Sequence, residues 1–171
     1  LSGMYADFDG NILIDQIPIR NYNLDSLRSR TGIYLSHQDI FNGTLLENIT
    51  MGNSELNIDE VTTLAEKIGL LPFINSLKQG YDTELDPVGN HLPGNVIRKI
   101  LLLRALIGAP RLILLEEPWF GFSDELKKEI QQLLVKNTLQ STVIVISNDE
   151  SFSANCDKVI FLKEKQITIF T

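Results

Sequence analysis

Hydrophobic positions near the start of the chain alternate with polar ones, as they do in short strands. Alternating isoleucines on either side of Asp15-Gln16 predict a β-hairpin. Residues 23–30 are predicted to form a short helix. Residues 32–35 are then predicted to form a brief buried strand, which ends at the polar sequence Ser36-His37-Gln38.

The spacing of apolar residues changes to three and four positions after residue 58, which predicts helices. The first is an amphipathic helix with Asp59 as its N-cap. A second covers residues 96–107 and is stopped by Gly108 and Pro110. A third covers residues 124–138, with Ser123 as its N-cap. Prolines and glycines interrupt the chain between the first two, so residues 56–95 are predicted to form a small helical insert.

Two continuous apolar runs, residues 112–115 and 143–146, are too short for helices after such stop signals. They are typical of strands buried on both faces of a parallel sheet. Residues 159–162 and 167–170 are predicted to form a final strand pair. The strand–helix–strand order indicates an α/β fold.

The composition of the chain excludes several classes of function. The 171 residues suit one domain with a small subdomain, and 43% hydrophobic with 22% charged residues is typical of a globular protein. The net charge is −7 and the basic residues are scattered, so nucleic acid is not expected as a partner. No apolar run approaches the roughly 18 residues of a membrane-spanning helix. The single cysteine, Cys156, cannot pair internally, which favours a reducing compartment and a small buried role.

The strongest chemical signal is the pair Glu116-Glu117, which follows the apolar run 112–115. Ligands of open α/β sheets bind beyond the carboxyl ends of the strands, where carboxylates can hold a hydrated cation or activate water. Adjacent strand residues point to opposite faces, so different roles are expected. Polar groups also follow residues 32–35 and 143–146, and the three strand ends could form one site. The alternative is a set of ordinary solvated loops. His37 and His91 lack the spacing of a zinc site.

The order of these segments resembles the nucleotide-binding domain of ABC transporters over nearly the whole chain. Residues 41–52 are the most specific part and are similar to the segment after the Q-loop in exporter-type members. The resemblance implies a partial P-loop NTPase fold: a RecA-like, mostly parallel sheet with an inserted α-helical signature subdomain. The core would comprise residues 1–55 and 96–171, and the subdomain residues 56–95. The segments that carry the resemblance are 10–14, 38–49, 92–106, 112–118 and 143–148.

The family's phosphate-binding loop, Gly-x-x-x-x-Gly-Lys-Ser/Thr, does not occur in this chain. Residues 1–3 resemble the last turn of the helix that follows that loop. We therefore expect a domain truncated before its Q-loop half and lacking the Walker A loop, whose sheet has lost a strand. On its own it is expected to be inactive and to bind no ATP tightly.

The resemblance assigns roles to four residues near the strand ends. Gln38 matches the Q-loop glutamine, which ligates Mg²⁺ or positions water. Glu117 matches the catalytic glutamate that polarises the attacking water. Glu116 stands where an aspartate usually holds the Mg²⁺ shell. Asn148 stands where the switch histidine is found, and its amide can donate a hydrogen bond but cannot carry a charge.

The signature motif, which contacts the ATP of a dimer partner, reads Pro93-Gly94-Asn95 after a leucine. Pro93 lacks both the hydroxyl and the amide hydrogen of the usual serine, and Asn95 replaces a glycine. Without the family context, Pro-Gly here predicts a type II turn. The D-loop ends in Ser123 where an aspartate is usual, and we include Ser123 among the expected nucleotide contacts.

Two functions follow from the resemblance. The first is the ATPase domain of an exporter, with ATP and Mg²⁺ as cofactors. Its partners would be a transmembrane domain and a second nucleotide-binding domain, at the cytoplasmic face of the membrane. The second is a degenerate nucleotide-binding module that hydrolyses poorly and pairs with a more active partner, as Pro93, Asn95 and Asn148 suggest. A soluble α/β protein unrelated to transport is the third alternative.

Overall fold

The computed structural model describes residues 8–87, 92–136, 140–163 and 166–170. Expectations for residues 1–3 and for His91 therefore lie outside the described residues. The helices are α1 (Leu24–Ser29), α2 (Leu45–Thr50), α3 (Ile58–Lys67), α4 (Leu71–Ser76), α5 (Gly94–Leu106), α6 (Asp124–Val135) and α7 (Glu150–Ser153). The strands are β1 (Leu13–Ile14), β2 (Ile17–Pro18), β3 (Thr31–Tyr34), β4 (Gly43–Thr44), β5 (Glu84–Leu85), β6 (Leu112–Glu116), β7 (Thr142–Ile146), β8 (Val159–Lys163) and β9 (Gln166–Phe170).

Both predicted strand pairs are present. β1 and β2 are antiparallel around Asp15 and Gln16, whose φ angles of 48° and 65° are those of the turn that suits a two-residue hairpin. β8 and β9 are also antiparallel, with Val159 opposite Phe170. The hairpins were predictable because strand alternation and turn length are local properties.

The central sheet has the order β3–β6–β7, and both pairings are parallel. This arrangement confirms the α/β prediction. On β6, Ile113 and Leu115 are almost completely buried on one face, while Leu112 and Leu114 on the other face are only partly buried. The prediction that β7 is buried on both faces is wrong, because its residues alternate and Ile146 is 67% exposed. β7 pairs with β6 on one side only in the described sheet, so its outer edge remains open.

One of the two predicted N-cap residues is confirmed, and the other is wrong. The N-cap of α3 is Asn57, whose side chain accepts a hydrogen bond from the amide of Asp59 at 2.8 Å; Asp59 itself lies inside the helix. Ser123 caps α6 as predicted. The second predicted helix, α5, starts two residues earlier than expected, directly after Pro93.

The described core is one connected cluster that joins the sheet to the helices of residues 56–95. Val61, Ile68 and Leu70 from that segment are fully buried, as are Ile100 and Leu103 of α5. β4 also pairs with β5, which links residue 43 to residue 85. The division of the chain into a core and a helical subdomain remains a prediction. Buried apolar contacts nevertheless bind the two parts together.

Candidate functional site

The three polar strand ends lie side by side. β3, β6 and β7 are adjacent and parallel, and Tyr34, Leu115 and Val145 share one register row. The carboxyl ends of all three strands therefore open at the same edge of the sheet. Hydrogen bonds then join the residues that follow, from β3 to β6 and from β6 to β7. We call Ser36, Gln38, Glu116, Glu117, Ser147 and Asn148 the strand-end cluster.

Glu116 is bonded towards β3. Its Oε2 accepts hydrogen bonds of 2.9 Å from both the backbone amide and the hydroxyl of Ser36. These two bonds, the backbone one first, lower the pKa of the Glu116 carboxyl, and the nearby His37 acts in the same direction. Burial opposes them. The carboxylate is therefore ionised and oriented at neutral pH.

Glu117 is bonded towards β7, on the opposite side. Its Oε2 accepts a hydrogen bond from the Ser147 hydroxyl at 3.0 Å. Its Oε1 accepts bonds from the backbone amide of Asn148 at 2.9 Å and from the Asn148 side chain at 3.3 Å. The φ of Glu117 is 44°, a left-handed conformation that side chains rarely adopt and that concentrates at functional sites. The two carboxylates thus have different environments, as expected, although Glu117 lies just beyond the end of β6 and its left-handed backbone, not strand alternation, turns it towards β7.

Gln38 turns back onto its own loop. Its Oε1 accepts a hydrogen bond from the backbone amide of Leu35 at 3.0 Å, which closes a tight turn after β3. Gln38 is half-buried while His37 beside it is exposed. The glutamine lies at the same sheet edge as the two glutamates. Its carbonyl oxygen stabilises the turn in this structure.

Asp149 extends the cluster, and sequence reasoning gave it no role. The Asp149 carboxylate caps α7 by accepting bonds from the amides of Ser151 and Phe152. It also accepts a bond from Gln131 at 2.9 Å and pairs with Lys127 at 2.6 Å, both on α6. The pKa of Asp149 lies far below its usual range, and the hydrogen bond from Lys127 is the largest cause. Asp149 therefore ties the backbone that directly follows Asn148 to α6. Asp is among the residues preferred at helix N-caps, and this local preference could have identified Asp149.

Pro93, Gly94 and Asn95 lie apart from this cluster in the chain, at the exposed start of α5. The carbonyl of Pro93 accepts the first helical bond, from Val96 at 2.8 Å, and its side chain provides no cap. Ser123 is engaged at the start of α6, where its hydroxyl accepts from the Leu126 amide at 3.4 Å. These four predicted nucleotide contacts belong to two helix starts.

The donors of the strand-end cluster fit a magnesium ion in type. Carboxylate, hydroxyl and amide oxygens are the ligands that Mg²⁺ prefers. The described residues contain no group of three or more acidic, histidine or cysteine side chains able to hold a metal by themselves. An ion held through Glu116 and Gln38 would take its remaining ligands from water and phosphate, which is the usual habit of Mg²⁺.

No protein-family profile matches the chain, but comparison with known proteins finds similar sequences and structures. The chain is 34% identical over 162 residues to the uncharacterized ABC transporter ATP-binding protein YknV of Bacillus subtilis, which covers 95% of the chain and 27% of that protein. It is 29% identical over 167 residues to multidrug resistance protein homolog 65 of Drosophila melanogaster, covering 98% of the chain and 13% of the relative.

A solved structure agrees with these relatives. A bacterial Atm1-family ABC exporter with ATP bound superposes with a TM-score of 0.84 and 28% identity, over 96% of this chain and 29% of that one. The chain thus spans less than a third of the length of these relatives. No described helix is long and apolar enough to cross a membrane. We conclude that the chain is homologous to the nucleotide-binding domain of exporter-type ABC transporters.

Proposed function

We propose that this chain is the Q-loop to switch-loop part of an ATP-hydrolysing domain that drives export in an ABC transporter. The observation that carries the proposal is the strand-end cluster, where Glu116 is bonded to the loop of Gln38 through Ser36 and Glu117 is bonded to Asn148. Homology to ABC transporter ATP-binding proteins supports the same role. The partners we propose are a transmembrane domain and a second nucleotide-binding domain, at the cytoplasmic face of a membrane.

Each residue has a chemical task in this proposal. Glu117 orients and polarises the attacking water, and its carboxylate is already held by Ser147 and Asn148. Glu116 and Gln38 would hold the shell of a magnesium ion, which would supply positive charge to neutralise the phosphates. Ser36 keeps the Glu116 carboxylate ionised and aimed.

Slow hydrolysis is the second candidate, and specific residues favour it. Asn148 donates to Glu117 but cannot carry the positive charge that would stabilise the transition state. Pro93 offers no amide hydrogen and no hydroxyl to a phosphate across a dimer. Asn95 adds a side chain where close backbone approach is needed. The degenerate module would then depend on a more active partner.

The chain by itself is expected to show no ATP hydrolysis and no tight ATP binding, because its sequence contains no Gly-x-x-x-x-Gly-Lys-Ser/Thr loop. Isothermal titration with Mg-ATP tests this directly. Micromolar affinity would contradict the expectation and would mean that another part of the chain holds the phosphates.

The catalytic assignment is tested in a longer protein that joins this chain to such a loop. Glu117→Gln is expected to lower kcat by roughly 10²–10⁴-fold, since it removes the general base. Glu129→Gln, an exposed change on α6, is the matched control and is expected to leave kcat unchanged. Equal rates for Glu117→Gln and the unmodified protein would refute the role of Glu117.

Asn148→His separates the two candidates in the same protein. A rise in turnover is expected if hydrolysis is slow because the switch histidine is missing. An unchanged or lower rate would count against the degenerate module. In either case, loss of activity in Glu117→Gln still tests the ATPase assignment independently.

A further inference from the structure

Arg104 is the one charged residue in the last two turns of α5, residues 100–106, whose other six members are apolar. Its guanidinium donates three hydrogen bonds towards the segment that follows Gln38. Nε donates to the backbone carbonyl of Asn48 at 2.7 Å, Nη2 to the Asn48 side-chain oxygen at 3.3 Å, and Nη1 to the carbonyl of Asp39 at 3.4 Å. The guanidinium therefore contacts both ends of residues 39–48.

Asn48, which accepts two of the hydrogen bonds from Arg104, is also bonded to other residues of the 39–48 segment. It is fully buried, and its side-chain oxygen also accepts a bond from the Phe41 amide at 2.9 Å. Its side-chain nitrogen donates to the carbonyls of Phe41 at 2.9 Å and Thr44 at 3.1 Å. The Asn48 amide thus has both donor hydrogens and its acceptor engaged. Such a satisfied buried network holds one backbone conformation.

The charge of Arg104 is retained in this position. Burial lowers the Arg104 pKa and the nearby Asp39 raises it, and an arginine stays protonated in either case. The Phe41 ring lies over the guanidinium, with its centroid 5.5 Å away, and covers it with the face that attracts cations. Phe41 is therefore held by its backbone through Asn48 and by its ring through Arg104.

We propose that Arg104 is a positioning residue that fixes residues 39–48, and with them the loop of Gln38, to helix α5. That helix begins at Gly94, within the signature motif. Residues 39–48, which begin directly after Gln38, are then held to the helix that starts in the signature motif. The functional meaning of this coupling rests on the proposed function, but the connection itself is a property of the chain. Lysine cannot replace Arg104, because one ammonium cannot meet acceptors that a planar fork reaches together.

Amide hydrogen exchange in the full chain without nucleotide tests the proposal, with Arg104→Lys as the main variant. Protection of the Phe41 amide is expected to fall by about tenfold or more, as for loss of a hydrogen bond to a charged group. Protection in β6 is expected to change less. Equal loss in β6 and at Phe41 would mean that Arg104 contributes only to general stability. Unchanged protection at Phe41 would also overturn the proposal.

Lys99→Met is the matched control on the same helix. The Lys99 ammonium donates to the carbonyl of Gly69 at 2.8 Å, beyond the end of α3. Its removal is expected to loosen the region around residue 69 and to leave residues 39–48 protected. Faster exchange at Phe41 in Lys99→Met would show that any change in α5 loosens the segment, which contradicts a specific role for Arg104.

Phe41→Leu supplies a second test if the Arg104 variants do not fold, because Phe41 is at the surface. The Arg104 Nε–H is expected to give a slowly exchanging resonance in the unmodified chain and a faster one in Phe41→Leu. The absence of a protected Nε–H in the unmodified chain would overturn the proposal. These readouts need no ATP, so their failure is distinguishable from failure of the catalytic assignment.

Discussion

Glu116 and Glu117 are neighbours in the sequence, yet their hydrogen bonds run to different strands. Glu116 is held by Ser36 beyond β3, and Glu117 by Ser147 and Asn148 beyond β7. β6 ends at Glu116, and the left-handed backbone at Glu117 takes the second carboxylate towards β7, so the two carboxylates have different hydrogen-bond partners. This arrangement is the chemical basis of the two different roles proposed for them.

The hydrogen bonds from Ser36 make Glu116 sensitive to acid. Because the folded-state pKa of Glu116 is lowered, its contribution to stability is present above the unfolded-state value of about 4.3 and is lost as the pH falls through the folded-state pKa. Urea unfolding of Glu116→Gln and the unmodified chain is expected to differ most at neutral pH and to converge as the pH falls below the lowered pKa of Glu116.

Ser36→Ala tests the same hydrogen bonds with a smaller change. It removes the hydroxyl donor and keeps the amide donor, so the same trend with pH is expected at smaller amplitude. A stability difference that does not vary with pH in Glu116→Gln would contradict the role assigned to these hydrogen bonds.

At the scale of elements, β3 and α5 pack so closely that a side chain has no room between them. A Cβ at Gly32 would overlap the carbonyl oxygen of Ala105 and touch Pro110 at 3.3 Å. Gly32→Ala is therefore expected to lower the free energy of unfolding by about 1–3 kcal/mol or more. Urea denaturation measures this change.

Gly94→Ala is the control for that substitution. The nearest atom to a Cβ at Gly94 is Arg98 Nη1 at 3.7 Å, an ordinary contact. Little loss of stability is expected there. Similar urea midpoints for both variants would show that the backbone of β3 can move away from α5.

The exposed face of β7 is the clearest departure from the sequence prediction. Ile144 and Ile146 are 40% and 67% exposed on a strand with an open edge, a combination that favours pairing between molecules. Ile146→Lys is expected to reduce concentration-dependent self-association in sedimentation velocity. Gln132→Lys, which adds the same charge on α6, is expected to reduce it less. Equal effects would indicate that net charge alone controls association.

At the scale of the whole molecule, one core joins the sheet to the helical segment. Leu70 in that segment is fully buried, and the sole tryptophan, Trp119, lies far along the chain with its ring 4.6 Å from that of Phe152. Leu70→Ala is expected to lower stability by about 2–5 kcal/mol. It is also expected to shift the unfolding midpoints of tryptophan fluorescence and circular dichroism together.

Ile58→Ala is the matched change for that prediction, since Ile58 lies in the same segment but is 43% exposed. Both midpoints are expected to stay near those of the unmodified chain. A fluorescence midpoint that does not move in Leu70→Ala would show that the helical segment unfolds independently of the sheet.

The sequence alone was sufficient for the kinds of element and for the position of the candidate site at the strand ends. Periodicity, turn length and capping are local, so the hairpin at Asp15-Gln16, the Ser123 cap and the strand leading to Glu116 could all be predicted. Local rules were weakest at boundaries. Asn57 and Asp59 can both cap a helix, and only the folded backbone selects Asn57.

Tertiary structure decided which polar groups meet and which apolar ones are covered. Ser36 and Glu116 are 80 residues apart, and Arg104 and Asn48 are 56 apart, so no spacing along the chain predicts either contact. The exposure of β7 depends on what pairs beside it, which its own four apolar residues do not encode. The sequence thus determined which groups are available for chemistry. The parallel order of three strands brought them to one edge, because only packing sets the distance between residues far apart in the chain.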